Sequence, residues 1–241
     1  MERQLTPIVC LCVYDRQKTC GRWLRAWDNA KKHSAKLVVI HNFDPVAGSP
    51  KVEQVNRILE WQPNFYVPRV NVGGDIGAFK DFLDRKDEFP YWNAVLWFAD
   101  DCIPMQKYFM DAFLDKLSKP EVGLVGAFFE PDIESSKTYS PQPRSHVAHI
   151  RTCCFAIKRE VAMRLRFPHD MKHPGDRYAF ESSHDNMYNQ VKHMGYQVEL
   201  AYGDFDTPWC QDQSLIWDCD HCFNHNLWDI YERQFAEECD A

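Results

Sequence analysis

Asp100 and Asp101 follow directly on Ala94-Val-Leu-Trp-Phe-Ala99, six consecutive apolar or small residues. Such a run reads as a strand buried on both faces, as in a parallel sheet. Two adjacent carboxylates at the carboxyl end of a buried strand are costly to desolvate unless positive charge sits beside them. Open α/β sheets take their ligands at that edge, and hard oxygen donors suit Mg2+ or Mn2+. The pair therefore points to a divalent cation that carries a phosphate ester. The plain alternative for an Asp-Asp pair is a helix cap or a turn. Ile103-Pro104 is expected to stop the extended segment.

Three other loops should reach the same crevice: Tyr14-Asp-Arg-Gln17, His41-Asn-Phe-Asp44 and Arg69-Val-Asn-Val-Gly-Gly-Asp75. Each leaves the carboxyl end of an expected strand. Gly73 and Gly74 allow close backbone approach to a ligand, and a helix starting near Ile76 offers free N–H groups. Asp44 and Asp75 could accept from a base N–H or from ribose hydroxyls; capping is the alternative for each. Near the end of the chain, Cys219-Asp-His-Cys-Phe-Asn-His225 holds metal-type ligands at C-x2-C spacing, with Cys210 nearby. A zinc site there lacks a second Cys or His pair at the standard separation.

The elements that must position these residues alternate. Strands are expected at 7–14, 36–40, 65–67 and 94–99, and helices at 20–33, 52–61 and 76–85. That alternation predicts right-handed βαβ units and a mostly parallel sheet. Farther on, helices are expected at 108–117, 159–165 and 185–194, and strands at 122–129, 148–157 and 196–202. Segments 131–145 and 168–178 read as polar loops, and the chain beyond Gly203 as aromatic, acidic and irregular. With 241 residues, 45% hydrophobic and 26% charged, a single folded α/β domain is expected. Its two halves would be about 1–104 and about 105–241. A net charge of −7 with no long basic run argues against nucleic acid as the main partner. The start of the chain has no apolar signal core, and no stretch approaches a bilayer-spanning length, so no transmembrane segment is expected. The ten cysteines, several inside expected core strands, then read as reduced thiols of a cytoplasmic protein.

From about residue 7 to 202 the order of these parts resembles nucleotide-sugar glycosyltransferases of the GT-A fold, similar to family 2. Its segment N-x-G-x-x-x-G-A is matched by Asn71-Val-Gly-Gly-Asp-Ile-Gly-Ala78, and its strand (G/R)-x-x-x-F-A-I-(K/R)-R by Arg151-Thr-Cys-Cys-Phe-Ala-Ile-Lys-Arg159. The resemblance implies a Rossmann-like α/β/α sandwich with a mostly parallel central sheet and a smaller sheet region on the acceptor side. It implies a base and ribose site around Val13, Asp15, Asn42 and Asp44, continued by Asn71, Gly74 and Asp75. The family's D-x-D metal motif, counted back from Ile103-Pro104, falls on Ala99 and Asp101. Ala99 cannot ligate, so Asp101 keeps the cation while Asp100 takes a ribose or metal role. A histidine late in the family's domain completes the coordination; His221 or His225 stands in that place.

The family's catalytic base is the first Asp of an E-D-x-D helix start. Ser183-His-Asp-Asn186 occupies that position, so Asp185 aligns with the base and His184 replaces the Glu. Glu181, one turn earlier, is the second candidate. Asp185 at a helix amino end would be held as the anion by the dipole. The implied activity is metal-dependent (Mn2+ or Mg2+) transfer of a sugar from a nucleoside diphosphate, UDP being the family's commonest, to a hydroxyl of a glycan or other acceptor, with inversion. A retaining enzyme of the same fold, a nucleotidyltransferase and an inactive nucleotide-sugar or carbohydrate binder are the alternatives.

Overall fold

In this computed structural model the described residues are 4–14, 23–28, 35–100, 102–104, 108–130, 147–172, 174–202, 205 and 216–218. Apolar runs make the central strands. β1 (Pro7–Tyr14), β2 (Lys36–Phe43) and β4 (Ala94–Ala99) are buried along nearly their whole length. β3 (Phe65–Val70) carries Pro68 and lies at the sheet edge, where proline's missing N–H breaks no ladder. β6 (Val122–Gly126), β9 (Cys154–Lys158) and β10 (Gln197–Leu200) complete a seven-stranded sheet of order β10-β6-β9-β4-β1-β2-β3. Every pairing in it is parallel except those of β9, which runs antiparallel to both β4 and β6. The expected mixed, mostly parallel architecture is what the chain adopts.

Helices cover both faces. Residues 23–28 (α1), α2 (Val52–Glu60) and α4 (Phe109–Leu117) bury Trp23, Trp27, Ile58 and Phe113 against one face. α3 (Gly74–Asp84), α5 (Arg159–Ala162), α6 (Pro174–Ser182) and α7 (Met187–His193) bury Phe79, Val161, Phe180 and Val191 against the other. Two small sheets flank the main one. β5 (Cys102–Pro104) pairs with β11 (Ile216–Asp218), and β7 (Phe129–Glu130) pairs with β8 (His149–Ile150).

Several expectations are corrected. Pro104 is the last residue of the extended segment β5, as expected, but that strand pairs with one from the tail, which was expected to be irregular. The run 122–129 divides into β6 and β7, and 148–157 into β8 and β9 around a turn at Thr152. Half of the expected loop 168–178 is helix: α6 begins at Pro174, where a fixed φ and a missing N–H suit the first helical position. The last helix starts at Met187, two residues later than expected. Asn186 caps it, its side chain accepting from the Asn189 N–H, so Asp185 lies one residue before the cap and not in the helix's first turn. Segment 131–145, Asp15, Asp101, Cys210, Cys219, His221, Cys222 and His225 lie outside the described residues. No helix among the described residues is long and apolar enough to cross a membrane.

β1 and β4 are adjacent and parallel, with β2 and β3 on one side and β9, β6 and β10 on the other. The chain therefore winds outward in both directions from that pair, leaving a crevice beyond their carboxyl ends. Tyr14, Asn42, Val70 and Asp100 all come to that edge, and the antiparallel β9 brings its amino end there too.

Candidate functional site

Asp100 is the buried anchor of this edge. It is 1% exposed, and the Tyr14 N–H donates to its Oδ2 at 3.3 Å. That bond ties the ends of β1 and β4 together through a carboxylate. Below it, burial and the charges of Asp75 and Asp100 push the Cys12 thiol well up. Gln54, fully buried on α2, donates to the Tyr14 carbonyl at 3.4 Å and holds the end of β1 from the other side.

The turn from β3 into α3 explains the pattern in 71–78. Gly73 and Gly74 have φ of 78° and 61°, left-handed values that glycine takes without steric cost. Gly77 is needed for a different reason: a Cβ there would sit 2.1 Å from the Val72 carbonyl oxygen. Arg69 staples the turn. Its Nε donates to Asp81 at 2.6 Å, its Nη2 to the Val72 carbonyl at 2.8 Å and its Nη1 to the Asn42 Oδ1. Asn42 in turn donates to the Gly74 carbonyl at 3.3 Å and to the Cys12 Sγ at 3.1 Å. Its side chain is thereby occupied in holding α3 against β2.

At the amino end of α3 stand two carboxylates joined by a hydroxyl. Thr152, buried in the turn before β9, has its Oγ1 3.3 Å from Asp75 Oδ2 and 3.2 Å from Glu181 Oε1. Its N–H also donates to Glu181 at 3.1 Å. Removal from water, and then the charge of Glu181, push the Asp75 carboxyl up to about 6; the Ile76 N–H and the Arg177 charge act in the opposite direction. Arg177 and Glu181 are four residues apart on α6 and so share a face, which packs on α3. The arrangement can hold an anion, and it carries a group that exchanges a proton close to neutral pH.

The other expected residues fall as follows. Val13 is fully buried in β1, one residue before Tyr14 at the strand's carboxyl end. Asp44 is exposed and accepts from the Val46 N–H at 2.8 Å, forming a local turn. The Asn71 N–H extends the β2–β3 edge by donating to the Phe43 carbonyl. Asp185 is 57% exposed and pairs with Arg166 at 2.6 Å; among the described residues it bonds to neither Thr152 nor Asp75. No group of three metal-type ligands occurs among the described residues. Asp100 is an oxygen donor at the right edge, and the remaining expected ligands, Asp101, His221 and His225, lie outside those residues. That donor chemistry fits a hard divalent cation. Sequence reading missed Arg69, Thr152 and Arg177. The Arg177–Glu181 spacing was the signal that could have placed 174–182 on a helix.

No protein-family model matches the sequence, and no curated protein does. Solved structures match at low identity. The mannosyltransferase PcManGT from Pyrobaculum calidifontis, solved with GDP-Man and Mn2+, gives a TM-score of 0.61 at 16% identity, covering 99% of this chain. This chain spans 65% of that protein's length. Glucosyl-3-phosphoglycerate synthase from Mycobacterium tuberculosis, solved with Mn2+, UDP and phosphoglyceric acid, gives 0.52 at 14% identity over 85% of this chain and 72% of its own. A 4-diphosphocytidyl-2C-methyl-D-erythritol synthase gives 0.52 at 11% identity over 88% of this chain and 95% of its own. At such identities the likeness is one of fold. The chain adopts the α/β fold of the GT-A glycosyltransferases, an architecture it also shares with a nucleotidyltransferase-like structure.

Proposed function

We propose that this protein transfers a sugar from a nucleoside diphosphate to a hydroxyl group of a glycan or other acceptor. One observation carries the reading: Asp100 after β4, Asp75 of α3, and Glu181 and Arg177 of α6 come from three separate elements to one edge of the sheet, at the switch point between β1 and β4. Asp100 and Asp101, with His221 or His225, would hold Mn2+ or Mg2+. Bound there, such an ion supplies charge neutralisation to a departing diphosphate. The nucleoside would lie along the ends of β1 and β2, near Asp15 and Asp44.

Glu181 is the group offered to the acceptor hydroxyl. Two hydrogen bonds from Thr152 fix its carboxylate, and α6 presents it beside Asp75. In-line attack from the face opposite the diphosphate inverts the anomeric carbon. Asp185, the base by resemblance, is engaged with Arg166 and is the second candidate.

The test is product analysis with UDP-sugars and GDP-sugars, Mn2+ and a glycan acceptor panel. Release of nucleoside diphosphate with a new glycosidic bond is expected. Release of pyrophosphate from a nucleoside triphosphate and a sugar phosphate would establish nucleotidyl transfer instead. Removing the metal with EDTA should weaken UDP binding in calorimetry, and Asp101→Ala should abolish the gain from Mn2+. Equal UDP affinity with and without Mn2+ in the unaltered protein would refute the metal assignment.

A further inference from the structure

We infer that Arg177 binds the diphosphate of the donor and takes on charge that the D-x-D motif of the fold leaves to its cation. The inference rests on the nucleoside diphosphate reading above. Its first support is steric. A Cβ built on Gly74 would lie 2.6 Å from Arg177 Nη1, 3.2 Å from its Cδ and 3.3 Å from the Tyr14 hydroxyl. The guanidinium and the phenol therefore meet over the one residue, at the start of α3, whose lack of a side chain leaves them space. The guanidinium thus stands beside Tyr14 at the carboxyl end of β1.

The second support is hydrogen-bond accounting. A guanidinium carries five N–H donors in a fixed fork, a shape suited to the paired oxygens of phosphate groups. Arg177 makes no hydrogen bond or ion pair with any described residue. Asp75 feels its charge without bonding to it, and Glu181, four residues on along the same face, is satisfied by Thr152. By contrast, Arg69, eight residues before α3's Gly77, spends its guanidinium on Asn42, Val72 and Asp81. Among the described residues, one arginine of the crevice builds the scaffold and the other has its guanidinium donors uncommitted.

The third support is the sequence at the metal motif. Ala99 stands where the resembled motif has its first carboxylate and cannot ligate, so a cation there would rely on Asp100 and Asp101. A guanidinium, ionised at any working pH, would supply positive charge to the diphosphate that does not depend on that cation.

The experiment is calorimetric titration of the full chain and of Arg177→Gln and Arg177→Lys. The probes are UDP, uridine, GDP and guanosine, each with Mn2+ and with EDTA. In EDTA, Arg177→Gln should weaken the diphosphate that binds by about tenfold or more while leaving its nucleoside unchanged. Arg177→Lys should retain part of the affinity, because it keeps the charge and loses the fork. Mn2+ should shrink the difference between variants. Unchanged diphosphate affinity in Arg177→Gln overturns the inference and leaves the donor reading intact. Equal weakening of diphosphate and nucleoside overturns it too, since a diphosphate contact cannot weaken a nucleoside. If neither UDP nor GDP binds the unaltered protein with Mn2+, the donor reading itself fails, and this inference with it.

Discussion

Thr152 has one hydroxyl proton and two carboxylates to serve. It can donate to one of them, so the second short contact is satisfied only when a carboxyl group is itself protonated. Asp75, raised to about 6, is that group: protonated, it donates to the Thr152 oxygen, which donates to Glu181. The sign of the linkage follows. A carboxyl whose folded pKa lies above its unfolded value binds its proton more tightly in the folded state. Its favourable contribution is complete below about pH 4 and is lost as the pH rises through 6. Asp75→Asn should therefore stabilise the protein at pH 8 by about 1–2 kcal/mol and give little benefit at pH 4. Urea unfolding at the two pH values measures it, and a gain no larger at pH 8 than at pH 4 would contradict it. The base is tested at the same scale. Glu181→Gln keeps the shape and the Thr152 contacts but cannot accept a proton, so turnover should fall at least a hundredfold with donor affinity near normal. Asp185→Asn should lose only its surface pair with Arg166. The reverse pattern of rates would move the base to Asp185.

At the scale of elements, the site depends on how α3 and α6 begin. The entry to α3 is drawn so tight that the Val72 carbonyl occupies the space of a side chain at position 77. Gly77→Ala should cost about 3 kcal/mol or more, because the obstructing atom is backbone and cannot rotate away. The expected readout is a lower urea midpoint at an unchanged slope, together with weaker nucleotide binding as the amino end of α3 shifts. A loss under 1 kcal/mol would mean the turn relaxes freely. α6 acts differently. Among its described side chains only Phe180 joins the core, yet it presents Arg177 and Glu181 together to the crevice. Its charge made it look like a loop, and that same charge equips the site.

At the scale of the molecule, one sheet carries strands from both halves of the chain. β9 reverses direction so that Thr152 arrives at the same edge as Asp100. The tail returns as well: β11 pairs with β5, which begins directly after Asp101. Cys102 and Ile103 of β5 are buried, so this pairing fixes the course of the chain just beyond the carboxylates. Removing residues 216–241 should abolish the Mn2+-dependent part of UDP binding while moving the thermal midpoint by only a few degrees, since the core residues among those described lie within 5–202. Calorimetry and differential scanning fluorimetry on the shortened chain check this. Intact Mn2+-dependent binding would show that the tail is dispensable to the metal site.

The central strands and the Asp100 edge were legible in the sequence because burial on both faces is a property of local composition. Six apolar residues ending in Asp-Asp have few places to go other than the middle of a parallel sheet. The α3 turn was legible for a related reason: only glycine tolerates its backbone. Side-chain use was not local and could not be read. Asn42 was expected at the ligand; its bonds to Gly74 and Arg69 come from packing that no local pattern reveals. Asp185 was expected within a helix, and Asn186 took the cap. Thr152 meets Asp75 across 77 residues of chain, a contact that no spacing or periodicity encodes. It exists because an antiparallel strand and a charged helix pack onto the same end of the sheet, and that convergence was decided by the tertiary structure.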